Sequence, residues 1–221
     1  MGSAQLPLAL ELRPSLARED FLVAPCNEAA VSWLDRWPAW PSPALLLYGP
    51  AGCGKTHLAS VWRRRVGAVA IDPKELSPDR VPALLQGAHA LIDEADRAPS
   101  EALLHLYNLV VERRGTLLLV AELPPARWGI ALSDLRSRLL AALAVALEPP
   151  DEAVLGAVLV KLFADRQLSV EGDVITYLMH HMERSFEAAR RVVATLDRAA
   201  LAARRRITVP FTRQILEACA E

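Results

Sequence analysis

The stretch "GPAGCGKTH", Gly49 to His57, follows an apolar run, "ALLLY", that begins at Ala44 and leads into a segment of helical periodicity from Lys55 to Val66. It fits G-x-x-x-x-G-K-[ST] in the setting that pattern requires, a strand before it and a helix after it. Glycines at Gly49, Gly52 and Gly54 let backbone N–H groups turn inward around an anion, and the positive end of the following helix adds to that field. The loop therefore reads as a phosphate cradle built from Gly49, Gly52, Cys53, Gly54, Lys55, Thr56 and His57. Lys55 is placed to reach the β- and γ-oxygens of a nucleotide, and the Thr56 hydroxyl to hold Mg²⁺.

Working outward, four more short apolar runs recur: "AVAI" from Ala68, "HALID" from His89, "TLLLVA" from Thr116 and "LAVAL" from Leu143. Helical periodicity returns between them, notably over Ser100 to Arg113. Uninterrupted apolar runs are what strands buried on both faces look like, and their alternation with helices implies parallel crossovers. The expected fold is α/β, a five-stranded parallel sheet with helices on both faces. "HALIDEAD" brings a second acidic element to this sheet. Its strand ends in Asp93 and Glu94, one carboxylate suited to a metal's water shell and the next to polarising an attacking water.

The pattern changes at "EPPDEAV". Pro149 and Pro150 end the last strand, Asp151 can cap a helix, and the remainder reads as helical with breaks near Ser169, Glu183 and Thr208. This predicts a tail over 1–20, an α/β domain over 21–149 and a small all-α domain over 150–221. The Trp- and Pro-rich segment "WLDRWPAWPSP" predicts a helix end and a rigid connection packed on the sheet.

Composition narrows the classes. The chain has 221 residues, 52% of them hydrophobic, enough for a packed core, and Lys+Arg 25 against Asp+Glu 26 excludes wholesale coating of nucleic acid. Cys26, Cys53 and Cys219 are widely spaced and lack metal-ligand spacing, as in a reducing compartment. The start has no leader pattern, and the longest apolar run, Leu139 to Leu147, is too short to span a bilayer. A cytoplasmic protein without membrane attachment is expected.

Taken together these motifs resemble the AAA+ ATPases, and more narrowly their DnaA and Hda branch. "FLVAPCNEAA", Phe21 to Ala30, is similar to the branch's adenine-pocket segment, and Phe21, Leu22 and Val23 would contact the base. "LIDEADRAP", "LPPARW", the "LRSRL" box, "ERSFEAARRVV" and "ITVPFTRQIL" match in order along nearly the whole chain. The resemblance implies a bound ADP or ATP with Mg²⁺, and it makes the helical domain a lid. It assigns Arg138 as an arginine finger acting on a neighbour's nucleotide, with Arg136 as a competitor for that role. Arg184 would touch the phosphates of the chain's own nucleotide, with Arg190 and Arg191 nearby.

Two departures qualify what the resemblance implies. The fourth strand of the branch ends in small polar residues that sense the γ-phosphate, whereas here Val120 and Ala121 stand there and only Glu122 is polar. Weak or absent hydrolysis at the chain's own site is the expectation. The initiator's helix-turn-helix is also missing before Glu221, so any DNA contact is expected to be nonspecific, through Arg204, Arg205 and Arg206.

The amino-terminal "QLPLAL" is similar to the short peptides with which proteins of this branch bind the DNA polymerase sliding clamp: Gln5, Leu6, Leu8 and Leu10 match, and Ala9 replaces a usual proline. In an extended peptide alternate leucines face one side, each contributing about 1.5 to 3 kcal/mol when fully buried. Packing of those leucines on the chain's own sheet is the other reading. The resemblance implies a regulator of replication initiation that binds the clamp and stimulates ATP hydrolysis by DnaA in trans, with self-association into a homo-oligomer also open. A helicase loader or initiator accessory ATPase is the alternative, and a P-loop small-molecule kinase a third.

Overall fold

The computed structural model describes residues 22–218. The Gln5, Leu6, Leu8 and Leu10 motif and Phe21 lie outside the described residues. Two compact units form: one contains the described residues through Leu47 together with Thr56–Ala146, the other Tyr48–Lys55 together with the described residues from Leu147 onward.

The first unit is the α/β body. In chain order it carries α1 (Glu28–Asp35), β1 (Ala44–Tyr48, whose last residue falls to the second unit), α2 (Lys55–Val66, whose first residue does too), β2 (Val69–Ala70) and α3 (Val81–Leu84). β3 (Ala90–Ile92), α4 (Ser100–Glu112), β4 (Leu117–Ala121), α5 (Ser133–Ala141) and β5 (Leu143–Ala146) follow. The sheet order is β2-β3-β4-β1-β5, and the expected five-stranded α/β sheet is the observed one. β2 pairs with β3 in parallel, Val69 opposite Ala90, and β3 with β4 in parallel, Ala90 opposite Leu117. All of β3 and β4 and the first four residues of β1 are buried, which is why these strands read as unbroken apolar runs. The sheet margins differ. β5 alternates toward solvent and β2 is two residues long, as suits edge strands covered on fewer sides.

The tryptophan-rich connection packs as its sequence predicts. Trp40 stacks on Trp62 of α2 with ring centroids 5.4 Å apart, and its indole N–H donates to the Trp33 carbonyl at 2.8 Å. Trp37 reaches the foot of the sheet, where its indole N–H donates to the Thr116 hydroxyl oxygen at 3.0 Å and its ring meets His89 edge-on at 5.3 Å.

In the second unit, Asp151 caps α6 (Glu152–Asp165) by accepting the Val154 N–H at 2.8 Å, as its position after two prolines predicts. α7 (Gly172–His181), α8 (Phe186–Ala203) and α9 (Val209–Ala218) follow, with breaks where the sequence places them. Leu155, Leu159 and Phe163 of α6 meet Val174 and Leu178 of α7 and Ala189, Val193 and Leu196 of α8 in one core, completed by Ile207 and Phe211. The spacing of three and four residues along each helix is what gathers them on one face. No helix among the described residues is long and apolar enough to cross a membrane.

The Trp37 contact fixes a protonation state. His89 Nδ1 accepts the Thr116 backbone N–H at 3.1 Å and lies 2.9 Å from the Thr116 hydroxyl, whose oxygen already accepts from Trp37. A backbone N–H can only donate, so Nδ1 carries no proton and the ring is neutral with its proton on Nε2. Burial holds the His89 pKa below its ordinary value. With the folded value below the unfolded one, the ring's contribution is complete above the unfolded pKa, near 6.5, and is lost as pH falls through the folded value. The thermal midpoint should therefore drop between pH 7 and about 5 by more in the wild type than in His89→Gln, in melts monitored by circular dichroism.

Candidate functional site

The phosphate loop, Tyr48–Lys55, belongs to the same unit as the four carboxy-terminal helices. Lys55 opens α2, only 8% exposed, and its ammonium donates to the carbonyls of Gly49 and Pro50, both at 2.8 Å. These bonds bend the lysine back over its own loop. An anion entering the cradle would exchange with these carbonyls for the ammonium's donors. Cys53 Sγ lies 3.8 Å from the same ammonium; burial raises its thiol pKa and Lys55 pulls the other way, leaving a thiol rather than a nucleophilic thiolate.

The loop also meets the start of α8. The Phe186 N–H donates to the Gly52 carbonyl at 3.0 Å, and Ser185 caps α8 by accepting the Ala188 N–H at 3.0 Å. Gly52 adopts φ +72°, and a Cβ there would stand 2.5 Å from the Ser185 Cβ; at Gly54, φ +99°, it would stand 3.4 Å from the Phe186 ring. Glycine is thus required at Gly52 twice over, by backbone conformation and by room. Sequence reasoning missed Ser185 and Phe186 as neighbours of the loop. The sequence signal that could have found them is a serine standing just ahead of a helical segment.

Within the α/β unit a cleft of about 480 Å³ is lined by Thr56, Ser60 and Arg63 of α2 and by Asp72, Asp93 and Glu94 beyond the ends of β2 and β3. It brings together the hydroxyl and the two carboxylates singled out from sequence. Thr56 and Asp93 form an oxygen donor set suited to Mg²⁺, which is held by one or two protein oxygens with phosphates and water completing its shell. Among the described residues there is no group of three or more His, Cys, Asp or Glu that could hold a metal ion.

Asp93 accepts the Glu94 N–H at 2.9 Å. Glu94 itself has φ +51° and pairs with Arg97, Nη1 to Oε2 at 2.8 Å. A non-glycine residue in this region is uncommon, and here the turn into the short 3₁₀ segment Ala95–Arg97 imposes it.

The remaining candidates fall in different places. Leu22 and Val23 are half-buried, and Asn27 fastens their segment by donating to the Leu22 carbonyl and accepting the Ala24 N–H, both at 3.0 Å. His57 is half-buried at the first turn of α2. Arg184, expected at phosphates, precedes the α8 cap and is ion-paired with Glu152 of α6, both side chains well exposed. The residues of this segment that touch the loop are its successors, Ser185 and Phe186. Val120 and Ala121 are buried at the end of β4 with Glu122 exposed beyond them, so apolar side chains do stand where hydroxyls were expected.

On α5, Arg138 donates from Nε and Nη2 to the two carboxylate oxygens of Asp134, at 2.9 and 3.2 Å, and its guanidinium lies over the Tyr107 ring, 5.4 Å from the centroid. Its side chain is 35% exposed, and the Asp134 carboxylate raises its pKa. Arg136 is exposed two residues earlier, which on a helix is about 200° around the axis. The two arginines therefore project from different flanks of α5.

This geometry has relatives. A family model described as "Hda, lid domain" matches residues 137–216. The match takes in the carboxy-terminal part of the chain and is a likeness to that lid domain. Domain III of the replication initiation protein DnaA from Thermotoga maritima superposes with a TM-score of 0.76 at 18% identity, covering 94% of this chain and 98% of that one. The Holliday junction branch migration motor RuvB of Thermotoga maritima follows at 0.72 and 19%, covering 94% and 72%. AMPPCP-bound DnaA from Aquifex aeolicus gives 0.65 and 16%, with 86% of this chain matched and 66% of that one. At these identities the likeness is one of fold.

The contact between the loop and α8 can be tested with paired glycine substitutions. Gly67 has nearly the same φ, +68°, with nothing within 4 Å of a Cβ. Gly67→Ala should cost about 1 kcal/mol of backbone strain, and Gly52→Ala about 1 to 3 kcal/mol more from overlap with Ser185, in denaturant titrations of the two variants side by side.

Proposed function

We propose that this protein is a DnaA-related AAA+ regulator of replication initiation, docking on the DNA polymerase sliding clamp and stimulating ATP hydrolysis by DnaA in trans. Arg138 carries the reading. It is a surface cation on α5, held by Asp134 and Tyr107, in the box where the resemblance places the finger, and the family match begins at its neighbour Ser137. A guanidinium presented to a second molecule's triphosphate offsets charge developing on the γ-phosphate as the bond to the leaving oxygen lengthens. This is catalysis by lending. The attacking water and the rest of the DnaA site belong to the partner.

The chain's own nucleotide, ADP or ATP with Mg²⁺, is held in this reading by the loop Gly49 to Thr56, with Lys55 at the phosphates and Asp93 at the metal's water shell. AMPPCP in the Aquifex DnaA structure supports nucleotide occupancy of such a loop. The buried Val120 and Ala121 favour a nucleotide that braces the fold over one consumed as fuel, since neither side chain can hydrogen-bond a γ-phosphate. Glu94, paired with Arg97, is the residue left to polarise water there. In the same reading Leu22 and Val23 border the base, and the work is done in the reducing cytoplasm.

The tail residues Gln5, Leu6, Leu8 and Leu10 supply the clamp contact. In pulldowns on purified sliding clamp, Gln5→Ala combined with Leu10→Ala should lose recovery at least about tenfold, the equivalent of one buried leucine; undiminished recovery removes the tail from the mechanism. Arg138→Ala should bind clamp normally and lose stimulation of DnaA ATPase by more than about a hundredfold, in a phosphate-release assay with clamp loaded on DNA. Arg136→Ala should stay near wild type, and reversed effects would move the finger to Arg136. A stable complex with the replicative helicase, or vigorous turnover without clamp, would favour the helicase-loader alternative.

A further inference from the structure

The pairing around Arg138 is built in a way that the trans reading does not itself require. Of the five N–H donors on a guanidinium, Asp134 engages one on Nε and one on Nη2, side-on, at 2.9 and 3.2 Å. Both donors of Nη1 and the second of Nη2 face away from that carboxylate. The guanidinium carbon lies over the ring of Tyr107, 5.4 Å from its centroid; Tyr107 comes from α4 and is only 7% exposed, in the core of the α/β unit. Two elements therefore constrain the arginine: a carboxylate one helical turn earlier sets its rotation, and a ring from the neighbouring helix sets its height.

We propose that Asp134 and Tyr107 form a seat that presents the Nη1 edge of Arg138 to the incoming triphosphate, making them positioning residues for the proposed trans reaction. The inference rests on Arg138 acting as the finger. An unrestrained arginine samples many rotamers, and the fraction of molecules with the donor edge correctly aimed enters the rate directly. The side-on pairing leaves the outward donors available, so the carboxylate need not be displaced when a phosphate oxygen arrives. Tyr107 works through its ring face, and its hydroxyl is dispensable for this role.

The test uses the full chain with DNA-loaded clamp and ATP-bound DnaA, and measures phosphate release at saturating regulator together with the half-saturating concentration. Asp134→Ala and Tyr107→Leu should each lower the saturated rate about fivefold with the half-saturating concentration unchanged, as the loss of one modest contact implies. Tyr107→Phe should match the wild type. On an Arg138→Ala background, Asp134→Ala should have no further effect.

Wild-type rates in Asp134→Ala, a rise in rate, or a loss expressed only in the half-saturating concentration would overturn the seat. Asp134 is half-exposed, so its variant tests the idea even where Tyr107→Leu lowers the melting temperature. The two readings fail differently: wild-type stimulation by Arg138→Ala removes finger and seat together, whereas a loss confined to Arg138→Ala sinks the seat and leaves the finger.

Discussion

The bond from Lys55 to the carbonyls of Gly49 and Pro50 is the constraint on which the rest depends. A nearly buried ammonium needs acceptors, and the loop's own backbone supplies them. In the same loop Gly52 and Gly54 take positive φ values, and their bare α-carbons are the surface on which Ser185 and Phe186 rest. Any side chain at Gly52 would displace the start of α8. The phosphate loop and the carboxy-terminal helices form one compact unit, although Thr56–Ala146 separates them in sequence.

That arrangement gives physical content to the term lid. Helices α6 to α9 share one apolar core, and the start of α8 meets the loop through the Phe186 N–H, the Phe186 ring and the Ser185 side chain. A ligand that changed the loop's carbonyl directions would be felt at the cap of α8 first. Arg184, immediately before that cap, is turned to Glu152 across an exposed ion pair, an arrangement of small energetic weight that a competing anion could replace.

The carboxylates of the α/β unit show a complementary economy. Asp93 and Glu94 emerge from a fully buried strand, so the sheet fixes their backbone while their side chains reach the same cleft as Thr56. At the next strand the side chains are buried and apolar through Ala121. The proposed division of labour follows from this difference: a nucleotide held by loop and metal in the chain itself, and a charge exported on α5 for chemistry elsewhere.

Sequence by itself determined the elements whose cause is local. The phosphate loop is legible because glycine spacing and a helix start dictate its backbone, the inner strands because burial on both faces forces continuous apolar runs, and the start of the helical unit because Asp151 caps it after two prolines. The Arg138 box was legible only by resemblance, and the Gln5 to Leu10 motif remains a statement about sequence. Tertiary structure alone decided that Tyr107 underlies Arg138, that Arg184 turns to Glu152, and that Ser185 and Phe186 close on Gly52 and Gly54. Each is a contact between side chains or backbones far apart in the chain or on different helix faces. Periodicity fixes which face of an element is buried, but the partner across the interface is chosen by packing, which no single segment encodes.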